Sequence, residues 1–352
     1  MCRWTGRPAR KGATHDGCSV SATSYPVSVS QGDATPRSGT ATTGNVTAGS
    51  LACVVLAHND PVQVRRLIAA LDPFPVFLHC DARSPHTVFE QMTADLPDRV
   101  RVMPRLRTPW ARWGVVAAEL EGYREALATT GASHVALLSG SDYPLRSTEE
   151  IAQLLGRMPG RSIAWSRPMP VPNWGLGGGH WRLQFSYAAW RKHMLVLPVP
   201  RRLPPGLVLA GGSQSKILAR HHVEAVLRAV EERPGLVRRW RHSWIPDETF
   251  VYSLLHTPDL VPRWEEERVR ASAWVIRWPD GSVKSPPWLT SADLGVLRAA
   301  CEEPVTGPLR IFARKFATDV DTSVLDVLDR SFRGRGAAGT PSEESSSAGR
   351  VG

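Results

Sequence analysis

A few charged side chains in this chain are of the type, and in the surroundings, that chemistry requires. Asp81 follows an apolar run, Val76-Phe77-Leu78-His79-Cys80. Asp142 ends a small-residue turn, Ser139-Gly140-Ser141-Asp142, and two adjacent carboxylates occur in Ile245-Pro246-Asp247-Glu248-Thr249-Phe250. Lys315 lies inside Phe312-Ala313-Arg314-Lys315-Phe316, and Lys284 stands in a Gly-Ser-Pro loop. A carboxylate beside an attacking hydroxyl can take its proton, and lysines beside a phosphorylated group can offset the charge that gathers there. Each residue also has a plainer role open to it. Pro246, Asp247 and Glu248 make an ordinary first turn of a helix. Asp81 and Asp142 can cap neighbouring helices, and Lys315 can run along core aromatics with its head in water.

Several chemistries are excluded by what is missing. There is no GxxxxGK[ST] loop, no strand followed by GxGxxG and no GxSxG elbow. His58, His79, His180, His193, His221, His222, His242 and His256 form no HExxH zinc motif. The turn at 139–142 offers a single carboxylate, so it has no acidic pair to hold Mg²⁺ or Mn²⁺ against a diphosphate. If a diphosphate binds, cationic side chains must balance it, and no metal is expected.

The elements that would position these residues follow from periodicity. Ala52–Ala57 reads as a buried strand, and His58-Asn59-Asp60-Pro61 then opens a helix faced by Val64, Leu67, Ile68 and Leu71. Val76–Cys80 is a second strand and Arg99–Met103 a third. Val116, Leu120, Tyr123 and Leu127 line a long helix before a strand at His134–Leu138. The capping-box pair Ser147 and Glu150 starts a helix faced by Ile151, Leu154, Leu155 and Met158, and Ser162–Trp165 is the next strand. This alternation predicts a Rossmann-like, mostly parallel sheet with helices on both faces. Ligands of such sheets collect beyond the carboxyl ends of the strands, which puts Asp81 and the 139–142 turn near a bound donor. From Pro168 to Gly212 the chain is rich in Pro, Gly and Trp and reads as an ordered loop region. A helix is expected at Val223–Val230, a strand at Trp274–Ile276 and a helix near Thr290–Ala300. Trp113-Gly114 suits a close approach of chain and helix.

The chain has 352 residues, 42% of them apolar, enough for a substantial core. Residues 1–50 are rich in Ser, Thr, Gly, Ala and Pro and read as a disordered leader, and 331–352 as a disordered tail. The remaining 51–330 form the expected catalytic domain, with 51–165 as its nucleotide-binding half and 166–330 as its acceptor and diphosphate half. The net charge of +10 favours anionic partners. The arginines are scattered without zinc-finger spacing or an RNA-binding aromatic signature, so a nucleotide diphosphate meets that expectation as well as a nucleic acid does. No apolar run is long enough to span a membrane. The five cysteines share no metal-ligand spacing and suit a reducing compartment. A soluble, cytoplasmic protein is expected.

Taken in order, these segments resemble the core-2/I-branching β-1,6-N-acetylglucosaminyltransferase and peptide O-xylosyltransferase family, from about Val54 to Asp329. The resemblance rests on Val55-Leu56-Ala57-His58-Asn59-Asp60-Pro61, Leu78-His79-Cys80-Asp81, Trp113-Gly114, Leu138–Leu145, Gly212-Ser213-Gln214, Pro246-Asp247-Glu248 and Phe312-Ala313-Arg314-Lys315-Phe316. It implies a GT-A-like α/β fold and an inverting transferase. That enzyme would move a sugar, N-acetylglucosamine first and xylose second, from a UDP-sugar to a hydroxyl of a small molecule, glycan or peptide. It implies no metal or other cofactor. By the same resemblance Glu248 is the general base, and Lys315 and Lys284 bind the diphosphate. Asp81 lies near the nucleoside, with His58 and Asp142 on the donor side. Two departures stand out: the aromatic pair common after Gly-Ser-Gln is here Ser215-Lys216, and Ala273-Trp274-Val275-Ile276-Arg277 replaces a more usual Arg-Tyr-Ile-Asp run. Two other readings are a non-catalytic glycan-binding member of the family and a basic nucleic-acid-binding protein.

Overall fold

The structure, a computed structural model, describes residues 49–190, 193–197, 200–202, 204–278, 285–302 and 309–330. The expected tail, all but the last two residues of the expected leader, and Lys284 lie outside the described residues.

The strands are β1 (Leu51–Ala57), β2 (Val76–Cys80), β3 (Val100–Val102), β4 (His134–Ser139), β5 (Asp142–Pro144), β6 (Ser162–Ile163) and β7 (Ser166–Pro168), then β8 (Ser186–Trp190), β9 (His193–Leu197), β10 (Ala210–Gly212), β11 (Lys216–Ala219), β12 (Arg268–Val269), β13 (Trp274–Ile276) and β14 (Phe312–Arg314). The helices are α1 (Pro61–Ala70), α2 (His86–Thr93), α3 (Trp113–Thr129), α4 (Thr148–Gly156), α5 (Trp181–Gln184), α6 (Arg220–Glu232), α7 (Pro234–Trp240), α8 (Phe250–Leu255), α9 (Trp264–Glu267), α10 (Leu294–Glu302) and α11 (Ser323–Leu328). The capping signals act as their chemistry demands. The Asp60 carboxylate accepts from the Gln63 N–H at 3.0 Å with Pro61 in the first turn of α1, and Ser147 and Glu150 close a reciprocal capping box on α4.

A seven-stranded sheet runs in the order β12-β6-β11-β4-β1-β2-β3. The pairs β4–β1, β1–β2 and β2–β3 are parallel, as the alternating pattern predicts. β11 is the exception, antiparallel to both β4 and β6. The expected strand at 162–165 is therefore shortened to two residues and separated from β4 by β11, a strand the periodicity does not announce. Side chains alternate between two cores. Cys53, Val55, Ala136 and Leu138 point into one, with Trp274, Phe312 and Phe316; Ala52, Val54, Val135 and Leu137 point into the other, with Tyr123, Trp240, Phe250 and Tyr252. Burial of each large apolar side chain is worth about 1.5–3 kcal/mol, so the alternation pins the register of β1 and β4.

A second sheet, β13-β14-β5, has β14 parallel to β13 and antiparallel to β5, with Arg314 opposite Asp142. The 168–212 region is more regular than its composition suggests. It contains the β8–β9 hairpin and β10, which pairs antiparallel with the preceding β7. No helix among the described residues is long and apolar enough to cross a membrane.

Candidate active site

From β1 the chain steps outward through β2 and β3, then returns to place β4 on the other side of β1. Sheets of this kind bind ligands at that reversal, outside the carboxyl ends of the two strands. β1 runs into His58 and β4 ends at Ser139. Between them the turn is drawn tight: the Gly140 N–H donates to Leu56 O at 2.9 Å, and a Cβ at 140 would fall 2.9 Å from Val64 Cγ2 and 3.1 Å from Ala57 Cβ.

Asp142 is fully buried at this point, and its oxygens are committed to the protein. Oδ2 accepts from Ser139 N and Trp274 Nε1, each at 3.0 Å, while Oδ1 accepts from Ser139 Oγ at 3.0 Å and Arg314 Nη1 at 3.1 Å. Arg314 also donates to Ser139 Oγ. Asp142 thus shapes the turn and aims Arg314, whose side chain keeps 25% of its surface in solvent. Sequence reasoning passed over Arg314. The signal was its place beside Lys315 on a strand facing the 139–142 turn.

Lys315 Nζ donates to Ser285 Oγ at 3.0 Å and lies 3.9 Å from the centre of the Trp288 ring. Burial and the neighbouring Arg314 charge lower its pKa. Lys284 immediately precedes Ser285 in the chain. Asp81, at the end of β2, is also buried and receives the Arg83 N–H at 2.8 Å and Arg83 Nη2 at 2.7 Å. Burial alone would raise its pKa, but these bonds and Thr108 hold the carboxyl well below the usual range. The His58 imidazole is pushed below its ordinary value by desolvation, with Arg83, Arg314 and Lys315 adding to the shift and Asp81 opposing it. His58 thus lies within electrostatic reach of Asp81, Arg83, Arg314 and Lys315.

Glu248 precedes α8, whose Phe250 and Tyr252 pack into the second core. It belongs to a 3₁₀ turn, Pro246–Glu248, just before α8, and Ile245 before it takes φ 47°. A left-handed β-branched residue is strained, so its surroundings must hold it. Trp240 Nε1 donates to Thr249 Oγ1 at 3.1 Å, the Phe250 ring meets Trp113 edge-on at 4.9 Å, and Tyr252 OH donates to Ser213 O at 2.6 Å. Trp113 opens α3, whose next residue must be glycine: a Cβ at 114 would lie 2.0 Å from Arg107 O. The loop before α3 spans both corners. Arg83 Nη2 donates to Thr108 O at 3.2 Å, and Trp110 meets Trp244 edge-on at 5.5 Å.

Arg182 Nη1 donates to Glu248 Oε2 at 2.5 Å, and its guanidinium lies over Trp174 at 3.8 Å. The Glu248 side chain is 33% exposed and that of Arg182 11%. The carboxylate is therefore oriented yet open to solvent. Arg182 and Trp174 come from the Pro, Gly and Trp-rich region, where no spacing marks an arginine as a partner of Glu248.

Asp247 differs sharply from its neighbour. Its Oδ1 is buried without a partner, and burial, reinforced by the Glu248 charge, raises its pKa to about 7. The folded chain keeps this proton up to about pH 7, whereas the unfolded chain releases it near 4. The contribution to stability is complete below about pH 4 and is lost as pH rises toward 7. Asp247→Asn, neutral throughout, should therefore stabilise the protein above pH 7 by about 2 kcal/mol, discounted for residual solvent access, with little effect near pH 4. Urea unfolding at the two pH values reads the difference. Equal effects at both would contradict a buried proton.

Residues 65–297 match the Core-2/I-Branching enzyme family. The chain belongs to that family. Among curated relatives, xylosyltransferase 2 from Rattus norvegicus and from Homo sapiens are each 26% identical over 311 residues, covering 83% of this chain and 34% of the relative. A xylosyltransferase from Ciona intestinalis is 24% identical over 309 residues, covering 82% of this chain and 35% of the relative. This core-2/I-branching chain thus spans about a third of the length of the curated relatives it matches. A solved structure of HddC from Yersinia pseudotuberculosis shares 9% identity at a TM-score of 0.25 over 49% of this chain and 79% of that one, a likeness too slight to carry an argument.

Proposed function

We propose that this chain transfers a sugar from a UDP-sugar to a hydroxyl acceptor with inversion and without a metal at the diphosphate. Two observations support the reading: an open, oriented carboxylate, Glu248, and the paired cations Arg314 and Lys315 beside the 139–142 turn. The acceptor oxygen attacks the anomeric carbon and gives its proton to Glu248 as the bond to UDP breaks. One displacement inverts the centre. Negative charge gathers on the departing diphosphate, where Arg314, Lys315 and Lys284 stabilise it more in the transition state than in the ground state. Asp81 with Arg83, and His58, border the nucleotide, while Trp174 and Trp181 offer faces to an acceptor sugar. N-acetylglucosamine is the first donor by family membership. Xylose is the second, favoured by the names of the curated relatives.

Thermal shift and hydrolysis across a panel of nucleotide sugars with EDTA present test this directly. A UDP-sugar response that survives the chelator is expected, and Lys315→Met should weaken UDP binding about tenfold or more, roughly 1.4 kcal/mol. A response that requires Mn²⁺ would overturn the metal-free clamp.

A further inference from the structure

The opposite edge of the sheet carries a cluster with no part in that chemistry. β11 runs antiparallel to β4, so its last residue, Ala219, pairs with His134 at the start of β4, remote from Ser139 at its carboxyl end. Helix α6 begins there with Arg220-His221-His222, and Glu267, the last residue of α9, meets the two histidines. One ligand atom from each of His221, His222 and Glu267 lies within 4.8 Å of the others. We propose that these three side chains bind a zinc ion that ties the start of α6 to the end of α9.

Two observations support the assignment. His222 is fully buried and its Nε2 has no hydrogen-bond partner, yet it lies 3.3 Å from Glu267 Oε2. Ligands about 2.0–2.1 Å from a tetrahedral zinc are separated by about 3.3 Å, so this pair already has the spacing to share an ion. His221 Nε2 approaches the same oxygen at 2.9 Å, a contact that opens slightly when a cation enters between them. Second, His222 Nδ1 faces Ser162 Oγ at 2.7 Å, and Ser162 Oγ also accepts the Ala219 N–H at 2.8 Å. A hydroxyl that accepts from Nδ1–H turns the Nε2 lone pair toward the ion, as outer partners of metal-bound histidines do.

Two imidazoles with one carboxylate select zinc among the common divalent ions, since Mg²⁺ and Ca²⁺ prefer all-oxygen sites. Water completes the fourth position. His134 does not, because its ring nitrogens face Ser133 Oγ at 2.9 Å and Arg161 O at 3.1 Å. Arg263 contacts the other oxygen of Glu267 at 3.2 Å, but its side chain is 70% exposed and can turn away.

The test uses the full, metal-stripped chain and the metal alone. Calorimetric titration with Zn²⁺ should give a single equivalent, a raised unfolding temperature and, with Co²⁺ in its place, the visible absorption of a tetrahedral ion. His221→Ala and Glu267→Gln should each weaken Zn²⁺ binding by about a hundredfold and abolish the Co²⁺ bands. His221 is exposed and Gln copies the shape of Glu267, so both variants should fold, which circular dichroism verifies. Absence of Zn²⁺ binding at micromolar concentration, or binding undiminished in both variants, would sink the site. Neither result bears on the UDP-sugar response.

Discussion

Glu248→Gln is expected to lower turnover by about 10²- to 10⁴-fold while leaving UDP-sugar affinity nearly unchanged. Glutamine keeps an oxygen to accept from Arg182 at the end of its 2.5 Å contact, so the geometry survives and the base does not. A second readout separates this from a structural effect. The Glu248 charge helps to raise the Asp247 pKa, so removing it should draw that group below about 7 and make the loss of stability on raising pH from about 4 smaller and complete at a lower pH. Steady-state kinetics with a separate measurement of donor binding decides the main point. Turnover preserved in the variant would remove Glu248 from the reaction. Sugar binding without turnover in the parent, and unaltered in the variant, would favour the non-catalytic glycan-binding reading instead.

The largest effect on stability is expected at Lys216. Its Nζ donates to Glu119 Oε1 at 2.8 Å with both side chains fully buried, and the same oxygen accepts from Tyr123 OH at 2.8 Å. The Tyr252 ring lies 5.2 Å from the ammonium. Lys216→Met leaves a carboxylate without its counter-charge in a dry core, which should cost about 3–5 kcal/mol in urea unfolding. Adding Glu119→Gln should recover most of that loss, because the double variant buries no charge. Failure of the second change to restore stability would mean that the ion pair is not what the core depends on. The pair also acts on Asp247, with Lys216 opposing and Glu119 favouring its retained proton. The Ser215-Lys216 departure from the family pattern is thus a change inside the core, where Lys216 is wholly enclosed.

Much of the fold was legible because it is written in local signals. The unbroken apolar runs of β1 and β2, the proline and aspartate opening α1, and the capping box of α4 act within a few residues, where periodicity and capping chemistry are decisive. β11 escaped because it is four residues long and starts with a lysine that finds its partner 97 positions away. Arg182 escaped for the same reason, since its carboxylate lies 66 positions further along and only the packing of Trp174 and Trp181 brings the two together. Asp142 was legible as a residue of the donor side, but not as one whose every bond is turned inward. That depends on Trp274 and Arg314 arriving from the second sheet.

The sequence by itself determined the parallel β1–β4 layer, the placement of candidate groups at strand ends, and the order of segments that marks a core-2/I-branching enzyme. Hydrophobic spacing and short motifs suffice for those, since each acts along the chain. Tertiary structure alone decided which cation Asp142 aims, what orients Glu248, and why Asp247 holds a proton beside a neighbour that is open to water. Those properties come from burial and from charges brought close through space, and neither quantity has a value until the two cores have closed around the sheet.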